Sequence, residues 1–404
     1  MKIERADIYV LKLDRHYRVG GHSDAPNRMP GSDYYFERQW AQAYSRNTES
    51  CLLKLTATCG LTGWGEAQAP LSPETPASIL VRLLVPALLG QPALATEAIY
   101  DRLYEMMLVR GQNGGFYLDA LAAVDIALWD LKGKAWQVPI CHALGGPYRE
   151  RLPAYISGLR RPSVDERIAV ARQIIERGFR GAKVFFGTGA GDILAELASV
   201  REAIGPQAFF ALDSIHAHSL DEALRIGRVL DRLHADWYEA PTRFEDLAGH
   251  ALLSSRLDTP IAGGENLRSV AQFLPWIQGG ALRVVQPDVG RCGITAARRI
   301  AALGHAFHIP AALHVGVCTG VAMAATWQLA AALPSFLIQE HQFDLFETAN
   351  TLLRIPLSET GGELEVPMTP GLGIEVDEEA VVRHATEHWV VTSAGAQLIQ
   401  KEPS

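Results

Sequence analysis

The sequence predicts an α/β protein built around a (β/α)8 barrel, and two observations carry this prediction. First, six β-like runs each end in one polar residue, and consecutive ends lie 26, 26, 23, 26 and 26 residues apart. One strand, one helix and the two loops between them need about 25 residues. Second, stretches such as 220–233 and 296–306 lie between these ends and have the apolar spacing of amphipathic helices. The six ends are Asp213, Glu239, Glu265, Asp288, His314 and Glu340.

Two earlier β-like runs complete the barrel. AYISG contains Ser157 and RGAKVFF contains Lys183, and the helical pattern of 164–176 lies between them. These runs bring the strands to the eight that close such a barrel. Because the carboxyl ends of the strands then face one mouth, residues that are distant in sequence become neighbours there.

The residue types at the strand ends indicate a functional mouth. Any single polar residue can simply end its strand, but the turn formers that usually do so are Ser, Thr, Asn, Asp and Gly. Three of the six ends here are Glu and one is His. Six such ends in phase favour function over chance.

Composition excludes several classes of protein. The chain has 404 residues, of which 48% are hydrophobic and 20% charged, as in globular proteins. Its net charge of −8 and the absence of a basic run argue against nucleic acid as a partner. Five scattered cysteines without a CxxC pair predict free thiols in a reducing compartment. The amino terminus lacks the apolar core of a signal peptide, so we expect a cytoplasmic protein.

One segment is long enough to span a bilayer. Residues 309–339 contain no Asp, Glu, Lys or Arg, but Pro310, Gly316, Gly320 and Pro334 interrupt them. We interpret the segment as a strand, a buried helix and a strand, and predict no membrane association. The helical part, 319–333, is apolar on almost every side, which predicts a homo-oligomer that covers it.

The strand ends predict a metal site. Asp213, Glu239 and Glu265 come from three consecutive strands, and three converging carboxylates repel one another unless a cation joins them. Oxygen ligands alone suit Mg²⁺ or Mn²⁺ and leave positions open for a substrate. Zinc is disfavoured because no His or Cys joins the three.

The next two strands predict a catalytic base. Asp288 is placed to fix the tautomer of the His314 imidazole and to raise its basicity. Across the mouth, Lys183 is placed to pair with a substrate carboxylate, or to act as a base if its pKa were lowered. No Gly-x-Ser-x-Gly nucleophile motif is present. Together these groups indicate removal of a proton next to a carboxylate.

These residues resemble those of the mandelate racemase and muconate lactonizing branch of the enolase superfamily. The WYEAP and GGEN motifs at Glu239 and Glu265, and ALAAVDIALWDLKGK over 120–134, carry the resemblance across nearly the whole chain. It implies Mg²⁺ on the three strand-end carboxylates and a His/Asp dyad of the mandelate racemase type. It also implies that Glu340 is the eighth-strand acid that hydrogen-bonds the substrate carboxylate.

The resemblance also implies a domain organisation. An α+β capping domain covers a modified TIM barrel in that family. We therefore expect a capping domain over 1–128 with a substrate lid loop at 15–38, a barrel over 129–375, and a segment 376–404 that returns to the capping domain. In the capping domain we interpret GLTGWGEA near Trp64 as a hairpin turn and strand, without a chemical role.

The chain departs from the family pattern at two places. The second strand usually reads Lys-x-Lys, but here Phe185 replaces the second lysine. Racemisation needs groups on both faces of the substrate, so Phe185 argues for chemistry on one face by His314. Ile215 stands where the family often has Asn, and His216 and His218 follow it. Each of these histidines is either a loop residue or an acid that protonates a departing hydroxyl.

The leading hypothesis is a Mg²⁺-dependent acid-sugar dehydratase that forms a 2-keto-3-deoxy acid. His16, Arg18 and His22 of the lid loop and His216 suit a polyhydroxylated substrate, although aromatic residues at 34–36 suit an apolar one. A lactone cycloisomerase or an epimerase is the alternative, and a non-catalytic sugar-acid binder is a third. The proposed catalytic residues are Lys183, Asp288, His314 and Glu340.

Overall fold

The computed structural model describes residues 1–14, 28–37, 41–159, 161, 163–185 and 193–401. His16, Arg18 and His22, which we predict to bind substrate, lie outside the described residues. So does much of the predicted lid loop. Within that loop, residues 34–37 pair with 42–45 as a small two-stranded sheet.

Seven strands belong to the capping part, five near the amino terminus and two at the carboxyl terminus. The nine strands between these two groups belong to the barrel part. The strands are β1 Ile3–Leu13, β2 Tyr34–Glu37, β3 Gln42–Ser45, β4 Thr48–Ala57, β5 Thr62–Ala67, β6 Arg151–Gly158, β7 Gly181–Phe185, β8 Phe209–Asp213, β9 Trp237–Glu239, β10 Ile261–Gly263, β11 Val284–Val285, β12 Gln339–His341, β13 Glu359–Thr360, β14 Glu363–Glu365, β15 Ala385–Thr392 and β16 Gly395–Lys401.

The helices alternate with the barrel strands, as the spacing predicts. They are α1 Glu74–Ile79, α2 Val85–Leu88, α3 Thr96–Leu108, α4 Gly115–Trp136, α5 Ile140–Ala143, α6 Val164–Glu176, α7 Ile193–Ile204, α8 Leu220–Arg232, α9 Leu247–Arg256, α10 Val270–Gln278, α11 Val289–Ala306, α12 Gly320–Ala332, α13 Phe346–Asn350 and α14 Glu378–His384. Capping boxes fix the first turns of two of them. Ser163 with Glu166 begins α6, and Ser219 with Glu222 begins α8.

The capping part contains an antiparallel sheet in the order β16, β15, β1, β4, β5. The apolar strand β1 pairs with β4 on one side and with β15 on the other, so the last residues of the chain return to the first strand. The predicted boundary between 128 and 129 falls inside α4. The domain limits therefore stay a prediction.

Helix α4 joins the capping sheet to the barrel. It packs on β5 and against α11, and almost its whole length is buried. Two glycines of β5 allow the close approach, because a Cβ would lie 2.3 Å from the Ala127 carbonyl oxygen at Gly63 and 1.9 Å from that of Ala123 at Gly65. Strand β5 is thereby held firmly against the barrel.

The predicted barrel is confirmed. Strands β6 to β11 run parallel and in sequence order. Isolated bridges from Ala311 to Val285 and Phe336 supply the seventh position, and β12 pairs with β6 to close the ring. Inward residues from the strands fill the interior as one apolar layer: Tyr155, Phe209, Ala211, Trp237, Ala262, Val284, Ala312 and Ile338. This layer forms the floor beneath the mouth.

The uncharged helix α12 is covered within the chain. All of its residues, Gly320–Ala332, are buried, and the helix packs against α11 and α5. The observation from which we predict a homo-oligomer therefore has another explanation, and the oligomeric state stays a prediction. Among the described residues, no helix is long and apolar enough to cross a membrane. All five cysteines are free.

Candidate active site

A cavity of about 640 Å³ opens at the carboxyl ends of the barrel strands. It is lined by residues from the strands or following loops of all eight barrel positions and from the hairpin of β2 and β3. The predicted site residues that line it are Asp213, His216, Glu265, His314 and Glu340. Glu239, Asp288 and Lys183 lie next to these residues but are buried behind the cavity surface, each with a side chain at most 2% exposed.

The dyad has the predicted pairing. Asp288 precedes α11, and its Oδ2 lies 2.6 Å from the Nδ1 of His314. A carboxylate at Nδ1 holds the proton on that nitrogen and leaves Nε2 as the atom that faces the cavity. Nε2 also lies 3.0 Å from Oε2 of Glu265 and 4.0 Å from Oε2 of Glu340.

The surroundings of His314 favour its charged form. Burial by itself lowers the pKa of the imidazole, but the carboxylates of Glu265, Glu340 and Asp288 outweigh burial and raise the pKa well above its usual value. The same contact lowers the pKa of Glu265 against the effect of burial. The pair therefore forms an imidazolium and a carboxylate in this arrangement.

Lys183 lies below the cavity. Its Nζ is 2.6 Å from Glu239 Oε1, 3.0 Å from Glu340 Oε1 and 3.5 Å from Asp213 Oδ2. Burial opposes its charge, but these carboxylates outweigh burial and raise the pKa of the ammonium well above the ordinary value. This raised pKa argues against our sequence-based option of Lys183 as a base. Its side chain balances carboxylate charge from beneath.

Glu239 is surrounded by donors as well. Its Oε2 accepts from Gln286 Nε2 at 2.7 Å and from Trp237 Nε1 at 3.1 Å. Burial and the neighbouring carboxylates Asp213 and Glu340 raise its pKa to about 7, although Lys183 acts in the opposite direction. Burial likewise raises the pKa of Asp213. Both pKa values are raised because several negative charges are buried close together.

The donor chemistry of these carboxylates fits a hard divalent cation. Five carboxylates at the strand ends face or underlie the cavity, and among the described residues Lys183 is the permanent cation that forms ion pairs with them. The five are Asp213, Glu239, Glu265, Asp288 and Glu340. A cation of charge +2 with oxygen ligands would offset the excess. As placed, the described side chains do not surround a common point, since Glu239 turns to Lys183 and Glu265 to His314.

Glu340 is held as a carboxylate. It accepts from the backbone N–H of Val315 at 2.9 Å and lies near Lys183, and its pKa is lowered despite burial because Lys183 and His314 are close. A carboxyl that hydrogen-bonds a substrate carboxylate must carry a proton. The arrangement in this structure thus favours an acceptor over the donor that the resemblance implies, and the role of Glu340 stays a prediction.

The opposite side of the cavity is apolar. Phe185 occupies the place of the second lysine at the end of β7, and Tyr44, Ile215 and Ala217 pack against it. Tyr44 belongs to the β2 and β3 hairpin, so the capping part completes this side.

His216 lines the cavity, but its nitrogens are engaged. Nδ1 lies 2.8 Å from the Thr242 carbonyl oxygen, so it carries the proton, and Nε2 then accepts from Asn266 Nδ2 at 3.0 Å. Both ring nitrogens are thus hydrogen-bonded to protein groups, Nε2 also lies 3.8 Å from Oε1 of Glu265, and the role of His216 stays a prediction. His218 does not line the cavity described here.

The structure adds residues that our sequence reasoning missed. Gln286 has a signal, because alternate residues of a strand share a face and Gln286 stands two before Asp288. Asn266 directly follows Glu265, and Arg291, which lies three residues after Asp288, donates to Asn266 Oδ1 at 3.1 Å. Gln68 had no signal: it follows the GLTGWGEA segment, to which we gave no chemical role, and its side chain reaches Asp288.

Comparisons with known proteins agree with this fold. A family model described as enolase C-terminal domain-like matches residues 166–380. A second model, described as the N-terminal domain of mandelate racemase and muconate lactonizing enzymes, matches residues 38–145. A solved structure of an enolase superfamily member from Agrobacterium tumefaciens superposes with a TM-score of 0.91 at 31% identity, covering 98% of this chain and 99% of that one.

Two curated relatives are similar over most of the chain. D-galactarolactone cycloisomerase of Agrobacterium fabrum is 33% identical over 343 residues, which cover 82% of this chain and 89% of the relative. A D-galactonate dehydratase family member of Streptomyces bingchenggensis is 30% identical over 373 residues, which cover 83% of this chain and 89% of the relative.

Proposed function

The chain belongs to the mandelate racemase and muconate lactonizing enzyme family of the enolase superfamily, and on this premise we propose that it is an acid-sugar dehydratase. The reaction removes the proton next to the substrate carboxylate and the hydroxyl one carbon further, and yields a 2-keto-3-deoxy acid. The observation that carries the proposal is the dyad of His314 and Asp288, whose Nε2 faces a cavity rich in carboxylates.

His314 is the base in this mechanism. Asp288 keeps the proton on Nδ1, so that the lone pair of Nε2 accepts the α-proton of the substrate. With a cation bound, Glu265 would be a ligand of that cation and no longer the partner of the imidazole, which would leave Nε2 of His314 able to accept a proton. The resulting imidazolium is stabilised by the carboxylate at Nδ1.

We propose that Asp213, Glu239 and Glu265 hold Mg²⁺, with Mn²⁺ as a substitute. When bound, the cation withdraws charge from the substrate carboxylate and makes the α-proton more acidic. Lys183 remains beneath the carboxylates and limits their mutual repulsion. Glu340 borders the place that we propose for the substrate carboxylate.

The proton balance supports one-faced elimination. His314 takes the α-proton, and the enediolate that forms expels the β-hydroxyl, which leaves as water with the proton that His314 returns. The enol then becomes the ketone. Because the same imidazole removes the α-proton and returns it to the departing hydroxyl, the proton transfers balance without a second acid.

A lactone cycloisomerase is the second candidate. The observation that favours it is the relative named D-galactarolactone cycloisomerase, at 33% identity over most of both chains. The same base removes the α-proton, but the oxygen that leaves is the ring oxygen, which stays attached to the product. Dehydration lowers the substrate mass by one water, whereas cycloisomerisation leaves the mass unchanged.

The test is a ¹H NMR screen in D₂O with Mg²⁺ over galactonate, gluconate, arabinonate, galactarate and galactarolactone. We expect metal-dependent loss of the α-proton signal and new signals of a 2-keto-3-deoxy acid, with a chelated sample as control. A product of unchanged mass from the lactone alone would replace dehydration by cycloisomerisation. Tight binding without any proton exchange would reject both and leave a binder.

We also propose a homo-oligomer in the cytoplasm that acts on this small acid. The five free cysteines support a reducing compartment. Large exposed apolar side chains, such as Val109 at 98% and Ile355 at 69%, leave surface for a second copy. Light scattering at micromolar concentration tests the assembly, and a monomeric mass would reject it.

A further inference from the structure

One side chain of the capping part, that of Gln68, contacts Asp288 of the dyad. Gln68 directly follows β5 and the buried Ala67, and it is 2% exposed. Its side-chain nitrogen donates to Oδ1 of Asp288 at 2.8 Å and to Oδ2 at 2.9 Å. Both neighbours are carboxylate oxygens, so only the orientation with nitrogen toward Asp288 forms hydrogen bonds.

The backbone holds Gln68 in the same place. Its N–H donates to the carbonyl oxygen of Gly290 at 3.0 Å, in the first turn after Asp288. The side chain and the main chain of one capping residue thus bind the two ends of the segment 288–290. Such a double attachment leaves the side chain little freedom to turn away.

Two glycines make room for this side chain. A Cβ at Gly316 would lie 2.0 Å from the Gln68 amide, and one at Gly290 would lie 2.8 Å from it. Neither glycine has a positive φ, so the requirement here is space and not backbone conformation. The Gln68 amide therefore sits between the loop of Asp288 and the loop of His314.

The preceding strand end is anchored equally well. Glu66 accepts from Thr319 N at 2.7 Å, Thr319 Oγ1 at 2.6 Å and Ala322 N at 2.9 Å, at the start of α12. Ser50 donates to the other side of the same carboxylate at 2.6 Å. A buried carboxylate with these donors at a helix N-terminus fixes β5 to the barrel loop that follows His314.

We propose that Gln68 is a positioning residue for the proposed reaction. By donating to both oxygens of Asp288, it orients the carboxylate so that Oδ2 points at Nδ1 of His314. Through Asp288, the capping part therefore keeps the imidazole of His314 in its orientation. It also covers the cavity. This inference rests on the proposed function for its effect on rate, and on the contacts above for its geometry.

The test is a double-mutant cycle on the full chain. Gln68→Leu keeps the volume and removes the donors, and we expect kcat to fall about 10- to 100-fold while KM changes little, as for partners that orient catalytic ligands. In the Asp288→Asn background the same change should cost much less, because the target of the amide is already altered. Gln68→Met serves as a second variant in case the branched side chain prevents folding.

The matched control is Ser50→Ala, which removes one hydrogen bond from the same strand end without contacting Asp288. We expect it to lower Tm and to leave kcat unchanged. Equal losses of kcat for Gln68→Leu in both backgrounds, or a change in KM or Tm alone, would reject a positioning role and leave Gln68 as a contact that docks the capping part.

A spectroscopic measurement separates the inference from the proposed reaction. With ¹⁵N-labelled histidine, the proton on Nδ1 of His314 should give a downfield NMR signal that shifts upfield or disappears in Gln68→Leu and persists in Ser50→Ala. If that signal responds as expected but no acid sugar is turned over, the proposed reaction fails and the positioning stands. An unchanged signal in Gln68→Leu rejects the positioning even if the enzyme is active.

Discussion

The two sides of the cavity differ in chemistry. The His314 wall is formed by His314 and Glu265 with Asp288 buried behind them, and contacts of 2.6 and 3.0 Å join these groups. The Phe185 wall, formed by Phe185, Ile215 and Tyr44, is an apolar cluster. In the proposed reaction, the α-carbon of the substrate would therefore face a base on one side and apolar side chains on the other.

This difference shows how a change at one strand position can leave a scaffold of this family with a proton-transfer group on one face only. Reactions that invert a carbon centre need a group on each face, and a phenylalanine where the second lysine usually stands supplies none. The following changes test the contrast, from the largest expected effect to the smallest.

Replacing His314 by Asn removes the base from the charged wall. Asn keeps a polar side chain but has no nitrogen that takes up a proton, so we expect α-proton exchange in D₂O to fall by about 10³-fold or more. The exchange is followed by ¹H NMR, with thermal unfolding as the folding control. Exchange at the wild-type rate would place the base elsewhere and remove the basis of the contrast.

Replacing Asp288 by Asn keeps the shape of the dyad and changes its hydrogen bond. The amide donates to Nδ1, which shifts the ring proton to Nε2, the atom that must accept the α-proton. We expect kcat to fall roughly 10²-fold with a smaller change in KM. Steady-state kinetics give both constants, and a loss confined to KM would contradict the assigned role of Asp288.

Replacing Phe185 by Lys places an amine on the apolar wall. Burial among Tyr44 and Ile215 disfavours its charge, so the neutral amine can accept or return a proton on the second face. We expect dehydration to slow about tenfold and a small amount of the α-epimer of the substrate to appear. Chromatography of the recovered substrate detects the epimer, and its complete absence would mean that the second face is closed to the substrate.

Replacing Phe185 by Leu keeps the wall apolar and serves as the control for the lysine variant. We expect dehydration to change by less than about threefold and stability to fall by about 1 kcal/mol, as for modest truncations in a buried cluster. Kinetics and chemical unfolding measure the two effects. A large loss of kcat would show that the aromatic ring itself contacts the reacting part of the substrate.

Much of the fold followed from local sequence. The 26-residue spacing predicted consecutive parallel strands, and neighbours in sequence became neighbours in the sheet, as Asp213 and Glu239 pair across β8 and β9. The pairing of Asp288 with His314 followed for the same reason. The fold class and the family were confirmed, whereas the metal and substrate roles of these residues stay predictions.

Other features needed the folded chain. Lys183 and Phe185 stand two residues apart and so share one face of their strand. Only the packing of the barrel decides that the lysine lies beneath three carboxylates and that the phenylalanine faces the cavity. The burial of α12 likewise depends on contacts with other helices of the chain, α11 and α5. Sequence periodicity states which side of an element is apolar, but not which neighbour covers it.

By itself, the sequence determined the order of the strands, the carboxylates and histidine at their ends, and the loss of the second lysine. These are local properties, since side-chain period and loop length fix them within one βα unit. Only the tertiary structure decided that Gln68 of the capping part reaches Asp288. That contact depends on how the capping sheet and the barrel pack together: glycines at 63 and 65 let α4 approach β5, and glycines at 290 and 316 leave space for the Gln68 side chain.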